Sequence, residues 1–462
     1  MDRYLNYWEL RCRLAEMTSP REACDLLDRL STQQRRRLWD GQMTLAEVLS
    51  SSPEVEQDAP IDVLVVGSGM AGVVAAQELV ASGLRVLVLE AGERPGGRAV
   101  VDSSLGPAVD LGAAWIHCGE ENPLTELARK LGLTLVADPH DVRAYRDGVE
   151  ETADFARSLQ RIHEAWHRAG KELDIPLSEV PLDTPEDWDE EAVMALSSLS
   201  IGVEASEGSS REYNETADEV GDYLVLQGLG RIVEAFSHGL RIELNCPVEL
   251  VRWGAEGVEA KAGHRTYRAR LLILTPAVGV LSAGTIEFEP ALPSEKLKAL
   301  DSVQMGCLDK ILMSFDGDVT GGTEPNNVVY SKGRRLAFLV RPFSLSLIIA
   351  FVGGQKAASM ALVSPDMEIA ETLDELAHIY GPQVKERLTG AQVTRWCQNP
   401  LTRGSYSSAK PGKQAARKEL CKPELNLILA GEACHEKWAG TLAGAYLSGM
   451  RAAAEALKQL GL

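Results

Sequence analysis

The sequence predicts an α/β fold in two interleaved domains behind a short helical extension, and three observations carry that prediction. Residues 61–100 read as an apolar strand, a glycine-rich turn, an Ala-rich helix, a second strand ending in an acid, and a second glycine turn. The chain has 462 residues, 45% of them apolar, which is more than one core organises and enough for two. Strand-like apolar runs return far downstream, at 267–281 and 307–315, after a helical and acidic stretch between 150 and 222.

The first fifty residues suggest two or three short amphipathic helices. Leu5, Trp8, Leu14 and Met17 belong to the first, Thr18-Ser19-Pro20 caps the next with proline near its start, and Leu26, Leu27 and Leu30 continue it. Residues 51–60 form a polar linker. Such an extension packs within the chain, clamps a homodimer, or recruits a partner. From Ile61 the pattern changes. Gly67 permits a tight turn after the strand IDVLVV, Gly69 lets backbone approach a pyrophosphate, and Gly72 allows the helix to lie close on the strand. The phosphates then sit at the positive end of that helix. Glu90, closing the second strand, is placed to hold ribose hydroxyls. Glycines at this spacing also occur in ordinary loops, but here they join a Val/Leu-rich run to an Ala-rich helix, as a Rossmann-type dinucleotide site requires.

The next turn narrows the nucleotide. Glu93-Arg94-Pro95-Gly96-Gly97-Arg98 comes after the ribose acid and resembles the second glycine turn of the FAD-dependent amine oxidase family, which includes polyamine and monoamine oxidases and histone lysine demethylases. The resemblance implies FAD, with Arg94, Gly97 and Arg98 near its pyrophosphate; Arg94 also reads as an ordinary surface arginine. It continues in chain order. Asp110 to His117, with Ala114 and Trp115, resembles the stretch beside the flavin ring, and Glu121 to Leu124 resembles the polyamine oxidase version of the adjoining segment. Cys246 to Val251, with Val248, resembles the strand that meets adenine, and Tyr267 to Leu281 and Ile286 to Phe315 resemble later family segments. Trp396 to Gly412 and Leu427 to Ala453, with Gly431 and Glu432, resemble the closing flavin segments. The implied division gives residues 61–120, 221–285 and 396–462 to an FAD-binding domain, and 121–220 and 286–395 to a mixed-sheet, α+β substrate domain.

The chemistry so implied is hydride removal from a carbon bearing nitrogen, with flavin N5 as acceptor, imine hydrolysis, and return of electrons to O2 as hydrogen peroxide. A protonated amine has its lone pair tied up, so a desolvated pocket that depresses the amine pKa assists. Lys310 matches the family lysine that holds a water near N5, although strand alternation alone leaves open a solvent-facing side chain. Tyr406 matches an aromatic wall of the substrate cavity, and Ser405 stands where monoamine oxidases carry the cysteine bonded to FAD, so non-covalent FAD is implied. Thr441 replaces the second aromatic wall, as in the demethylase branch, which implies a wider or more polar cavity. With Trp438 and Gly440 it begins the helix facing the isoalloxazine. Glu432 resembles the acid beside the ribityl and pyrophosphate, and an acid before a helix also serves as a cap. After Arg98 the chain reads Ala-Val-Val-Asp-Ser-Ser, without the arginine by which many amino-acid oxidases clamp a carboxylate. Arg143, Arg146, Arg341 and Arg403 are the substitutes from other directions. An L-amino-acid oxidase or a specialised biosynthetic oxidase thus stays open beside an amine oxidase, and so does a flavin-containing binding module.

Composition sets further limits. A net charge of −20 speaks against nucleic acid or an anionic membrane as partner and favours a cationic small molecule. No run reaches the roughly 18 apolar residues of a membrane span, and the first residues hold no apolar signal core, so a cytoplasmic enzyme is expected. Cys12, Cys24, Cys118, Cys246, Cys307, Cys397, Cys421 and Cys434 are scattered without CxxC pairs, which predicts reduced thiols and neither a metal centre nor a disulfide framework. His163 and His167, spaced i,i+4 without an HExxH pattern, read as a solvated helix face. In the family resembled, the insertion that here carries Glu179, Asp183, Glu186, Asp187, Asp189, Glu190 and Glu191 often walls the cavity entrance, where acids would steer a cation; taken one by one, these acids read first as merely solvated.

Overall fold

The computed structural model describes residues 60–139, 141–216 and 221–462, so the expected N-terminal helices and nearly all of the linker lie outside the described residues. The first element is β1 (Ile61–Val66), followed by α1 (Met70–Ala81) and β2 (Val86–Leu89). β1 lies between β2 and β3 (Arg265–Leu274), parallel to both, with Val63 opposite Val86 on one side and Leu271 on the other. Strands covered on both faces need nearly continuous apolar runs, and these supply them. The complete sheet runs Ile242–Glu243, β2, β1, β3, Gly257–Ala262, Leu250–Gly254, Glu287–Glu289, and Leu427–Leu429 also pairs with β3.

Ala71, Ala75, Ala76 and Leu79 of α1 pack with Ala452, Ala453 and Ala456 of the C-terminal helix (Leu442–Gln459) over Val63, Val65, Val88 and Ile273. Small residues let the two helices touch: a Cβ on Gly449 would stand 2.5 Å from the Ala71 carbonyl oxygen. The opposite face buries Leu64, Leu87, Leu272 and Leu274 with Trp253 and Leu420.

The second sheet runs Leu388–Val393, β4 (Leu308–Phe315), Leu347–Gly353, Leu336–Val340, Asn327–Ser331, Val142–Arg146, Val149–Glu150. It is antiparallel except where Asn327–Ser331 meets Val142–Arg146. Beside it lies α2 (Thr152–Glu172), whose Phe155, Ser158, Ile162, Trp166 and Gly170 form a buried stripe at helical spacing. Phe155 and Trp166 share a core with Ala144, Trp188 and Tyr213.

One expectation about sulfur fails. Cys307 and Cys397, 90 residues apart, form a disulfide with their Cα atoms 5.6 Å apart, whereas Cys118, Cys246, Cys421 and Cys434 remain thiols. The reason is tertiary: β4 pairs antiparallel with Leu388–Val393, Ile311 opposite Val393, which brings the residue before one strand beside the segment after the other. Linear spacing carries no trace of that pairing.

Candidate active site

A cavity of about 1480 Å³ runs from the glycine turns at 67–98 to α2. At its nucleotide end, Gly67 has φ +100°, and a Cβ there would meet Thr275 Oγ1 at 2.4 Å. A Cβ on Gly72 would stand 2.0 Å from the Gly67 carbonyl oxygen. Gly69 differs: a Cβ there would have Gly97 Cα as its nearest neighbour, at 4.0 Å, so the two glycines face each other across a groove that side chains would fill. α1 starts at this groove with no side-chain cap and no acid in its first turn, which suits an anionic group at the helix end. Glu90 is held at the wall by Ser68 N and Oγ, both 2.7 Å from Oε2, and by Gly92 N, 2.8 Å from Oε1. Beside it the lining continues through Asn245 to Glu249; Val248 precedes the strand Leu250–Gly254 rather than lying in it. Arg94 is exposed at the rim, bonded to the Pro95 carbonyl at 3.0 Å. The open backbone groove and the fixed acid fit a dinucleotide.

Arg98 reaches across the chain. Its Nη1 donates to Glu432 Oε1 at 2.8 Å and to the Ser405 carbonyl at 2.9 Å. The buried Glu432 also accepts from Ser407 N, Ser407 Oγ and Gly440 N at 3.2, 2.5 and 3.1 Å. Burial by itself would raise its pKa, but the charges of Arg98 and Arg417 and these hydrogen bonds hold it below the usual carboxylate range. Glu432 therefore organises the turn and is not the cap of the last helix. Thr441 is that cap: its hydroxyl accepts from Gly444 N at 3.0 Å and donates to the Trp438 carbonyl at 2.8 Å. Gly431 N donates to Ser448 Oγ at 3.0 Å, fixing the turn to the same helix.

At the middle of the cavity, alternation along β4 turns Lys310 inward. The side chain is 4% exposed, and Nζ donates to the carbonyls of Asp110 at 2.9 Å and Gly112 at 2.7 Å, 5.8 Å from the ring centres of Trp115 and Phe351. Burial lowers its pKa to about 8, with the Asp110 charge opposing. Burial likewise raises Asp110 to about 6, against the hydrogen bonds from Leu229 N and Gly230 N. Ala114, Trp115, Trp396, Tyr406 and Thr441 line the same space. Trp115 Nε1 donates to Asp138 Oδ2 at 2.6 Å, Trp396 Nε1 to the Leu111 carbonyl at 3.1 Å, and the Tyr406 hydroxyl to the Ser200 carbonyl at 2.8 Å. Ser405 pins the Tyr406 loop to β4, its Oγ accepting from Leu308 N at 2.7 Å and donating to the Leu308 carbonyl at 2.8 Å.

The far wall corrects two sequence readings. His163 and His167 are half-buried and line the cavity with Gln160 and Tyr213. His163 Nδ1 is 2.8 Å from the Tyr213 hydroxyl, and the two imidazole centres are 4.4 Å apart. Each histidine comes directly after a fully buried residue, Ile162 or Trp166, so both stand at the edge of the stripe; that adjacency is the signal in the sequence. None of the acids between Glu179 and Glu191 lines the cavity, so the acidic entrance implied by the resemblance is not found there, and several of them are paired and not merely solvated. Glu186 pairs with Arg161, Asp187 with Arg146, Asp189 with Arg161, and Glu191 with Lys332 at 2.8 Å. These acids fasten the segment to α2 and the second sheet. A buried pair not anticipated, Glu212 with Arg417 at 2.6 Å, sits behind Ser407. Of the four candidate carboxylate clamps, only Arg403 lines the cavity.

A Rossmann-type sheet with a facing-glycine cradle, joined through one cavity to a second sheet that presents a buried lysine, has the form of a dinucleotide site opening onto a second, enclosed chamber. The model of the family described as flavin containing amine oxidoreductase matches residues 70–214 and 186–457, and the chain belongs to that family, with FAD as its cofactor. It is 31% identical over 447 residues to Lysine-specific histone demethylase 1 homolog 1 of Arabidopsis thaliana, covering 86% of this chain and 52% of the relative. It is 29% identical to Polyamine oxidase 4 of Oryza sativa subsp. japonica, covering 88% and 91%. The chain thus spans about half the length of the demethylase relative and nearly all of the polyamine oxidase. In fold it resembles Cyclohexylamine Oxidase from Brevibacterium oxydans IH-35A, with a TM-score of 0.74, 23% identity, and coverage of 87% and 100%. Among the described residues no helix is long and apolar enough to cross a membrane.

Proposed function

We propose that the chain oxidises the C–N bond of an amine larger than a simple aromatic amine, using non-covalent FAD and O2 and releasing hydrogen peroxide. The observation that carries this reading is the buried Lys310 on the cavity wall, fixed by two backbone carbonyls. FAD, when bound, supplies the two-electron acceptor for the hydride. Gly67, Gly69, Gly72, Gly97, Glu90 and Val248 would hold its nucleotide half; Arg98, Gly431 and Glu432 the turn beside the phosphates and ribityl; Ala114, Trp115 and Trp396 the ring. An ammonium has three donors; with two committed, the third is available to hold a water. Tyr406, its hydroxyl tied to Ser200, offers a fixed ring face to the amine. The apolar enclosure disfavours the ammonium form and so favours the free lone pair.

The demethylase and polyamine oxidase relatives make N-methyl-lysyl peptides and polyamines the substrate classes to compare. Anaerobic addition of each to the yellow protein should bleach the flavin with at least one, and bleaching by none would defeat the proposal. Acid precipitation should leave flavin in the supernatant, because Ser405 has no sulfur to form a thioether; a yellow washed pellet would contradict non-covalent binding.

A further inference from the structure

The alternation that turns Lys310 towards the cavity puts Cys307 and Asp309 together on the other face of β4. Asp309 is 4% exposed. Its Oδ1 accepts from Trp396 N at 2.7 Å and Thr394 Oγ1 at 3.2 Å, whereas Oδ2 is buried without a hydrogen-bond partner. A carboxylate oxygen of Asp309 and the sulfurs of Cys307 and Cys397 lie within 4.8 Å of one another. Both cysteines are half-buried. A solvent-stripped carboxylate oxygen without a donor is costly, more so when charged, and carrying a proton relieves that cost.

We propose that Cys307–Cys397 is an exchangeable disulfide, opened by a dithiol, with Asp309 giving a proton to the departing sulfur and taking one back when the bond re-forms. One thiolate of the dithiol attacks a cysteine sulfur, breaking the S–S bond and forming a mixed disulfide; the released cysteine sulfur takes the Asp309 proton. The second dithiol thiolate displaces the remaining cysteine, whose proton comes from solvent. Two electrons enter the chain, which ends with two thiols, and the reductant leaves as its cyclic disulfide. Burial keeps Asp309 protonated up to about pH 6; Glu368 from the helix Pro365–Tyr380 opposes its ionisation and Arg395 favours it. The bridge ties the strand carrying Lys310 to the segment carrying Trp396. Its state therefore reaches both walls of the flavin end.

The test uses the flavin-loaded chain. Millimolar dithiothreitol should open the bond without denaturant, read as two additional alkylated cysteines by mass spectrometry. Asp309→Asn keeps an acceptor for Trp396 N but has no proton to give, and should slow opening on the order of tenfold or more. Normalised to dithiol thiolate, the wild-type rate should rise as pH falls from about 8 to 5 and the variant's should not. Should the variant fold poorly, the wild-type profile decides, because a flat normalised rate removes Asp309 from the step. A bond that resists native reduction, equal rates in both proteins, or sulfurs isolated as thiolates around a stoichiometric metal would each overturn the proposal.

Discussion

At the nucleotide end the cavity is lined by residues between 67 and 98 that include Gly67, Gly69, Gly92, Gly96 and Gly97; at the far end it is lined by Gln160, His163 and His167 of α2 and by Tyr213. Gly69 and Gly97 define their groove by what they lack, whereas His163 acquires its place through a hydrogen bond to a residue 50 positions away. A cradle made of backbone is written locally and tolerates few side chains. A wall made of side chains is written by packing and is free to vary with substrate. Changes at the near end should therefore cost cofactor and stability, and changes at the far end should cost only substrate affinity.

The largest effect is expected from Glu432→Ala. The substitution strips Arg98, Ser407 and Gly440 of one shared buried acceptor and leaves cationic charge there without its partner, at a cost of about 3–5 kcal/mol. Flavin-to-protein absorbance should fall and thermal unfolding should come earlier. Full flavin content with an unshifted melt would break the distinction between the two ends.

Lys310→Met should slow flavin reduction or reoxidation on the order of 10²-fold, the usual worth of a positioned proton-handling or water-holding group, with FAD content retained. Stability supplies a second readout with a definite sign. Lys310 falls from its ordinary 10.5 to about 8 on folding, so between those values the unfolded chain binds the extra proton and stability rises with pH. Below about 8 the burial penalty is present in full. The wild type should gain on Lys310→Met by about 3 kcal/mol as pH climbs through that window, measured by denaturant unfolding at each pH. No relative gain would mean that Lys310 is charged and solvated in the folded protein.

Thr441 tests the junction of the two regions, because it is both a helix cap and a cavity residue. Thr441→Ala should cost about 1 kcal/mol through the lost cap, and Thr441→Ser should restore it. Thr441→Tyr loses the cap too but also fills space, so only the tyrosine variant should lower the ratio of kcat/KM for a bulky amine over a small one. An equal ratio in the alanine and tyrosine variants would place residue 441 outside the substrate path.

Legibility in the sequence divides along the same line. The strand, turns and ribose acid of 61–98 are contiguous, so local pattern identifies them, and the inward Lys310 and Tyr406 are reached through motif resemblance. Thr441 reads as a missing aromatic, but its capping hydroxyl is hidden because Gly444, its partner, carries no side-chain signal. The Cys307–Cys397 bond, the Glu212–Arg417 pair and the neutralised acids near 186–191 depend on strand register and helix packing, which no local pattern records. The histidines are misassigned for a narrower reason: i,i+4 spacing invites comparison with a metal motif, whereas the informative feature is their offset by one from Ile162 and Trp166.

The smallest expected effect tests the far wall itself. His163 holds the Tyr213 hydroxyl at 2.8 Å, and Tyr213 in turn packs on the buried Trp166, ring centres 5.3 Å apart. Replacing His163 with leucine keeps bulk but removes the hydrogen bond, worth about 0.5–1.5 kcal/mol, and lets the tyrosine ring drift into or away from the path of the amine. Because this contact lies beyond Lys310 and Tyr406, it should act on substrate and transition state alike, raising KM several-fold with kcat unchanged. His163→Asn retains a group able to bond the hydroxyl and should recover most of the affinity. Steady-state kinetics with the best amine from the bleaching screen decides the matter: a fall in kcat equal to the fall in kcat/KM would show that the far wall takes part in the chemical step, and the separation of a cofactor end from a binding end would no longer describe this cavity.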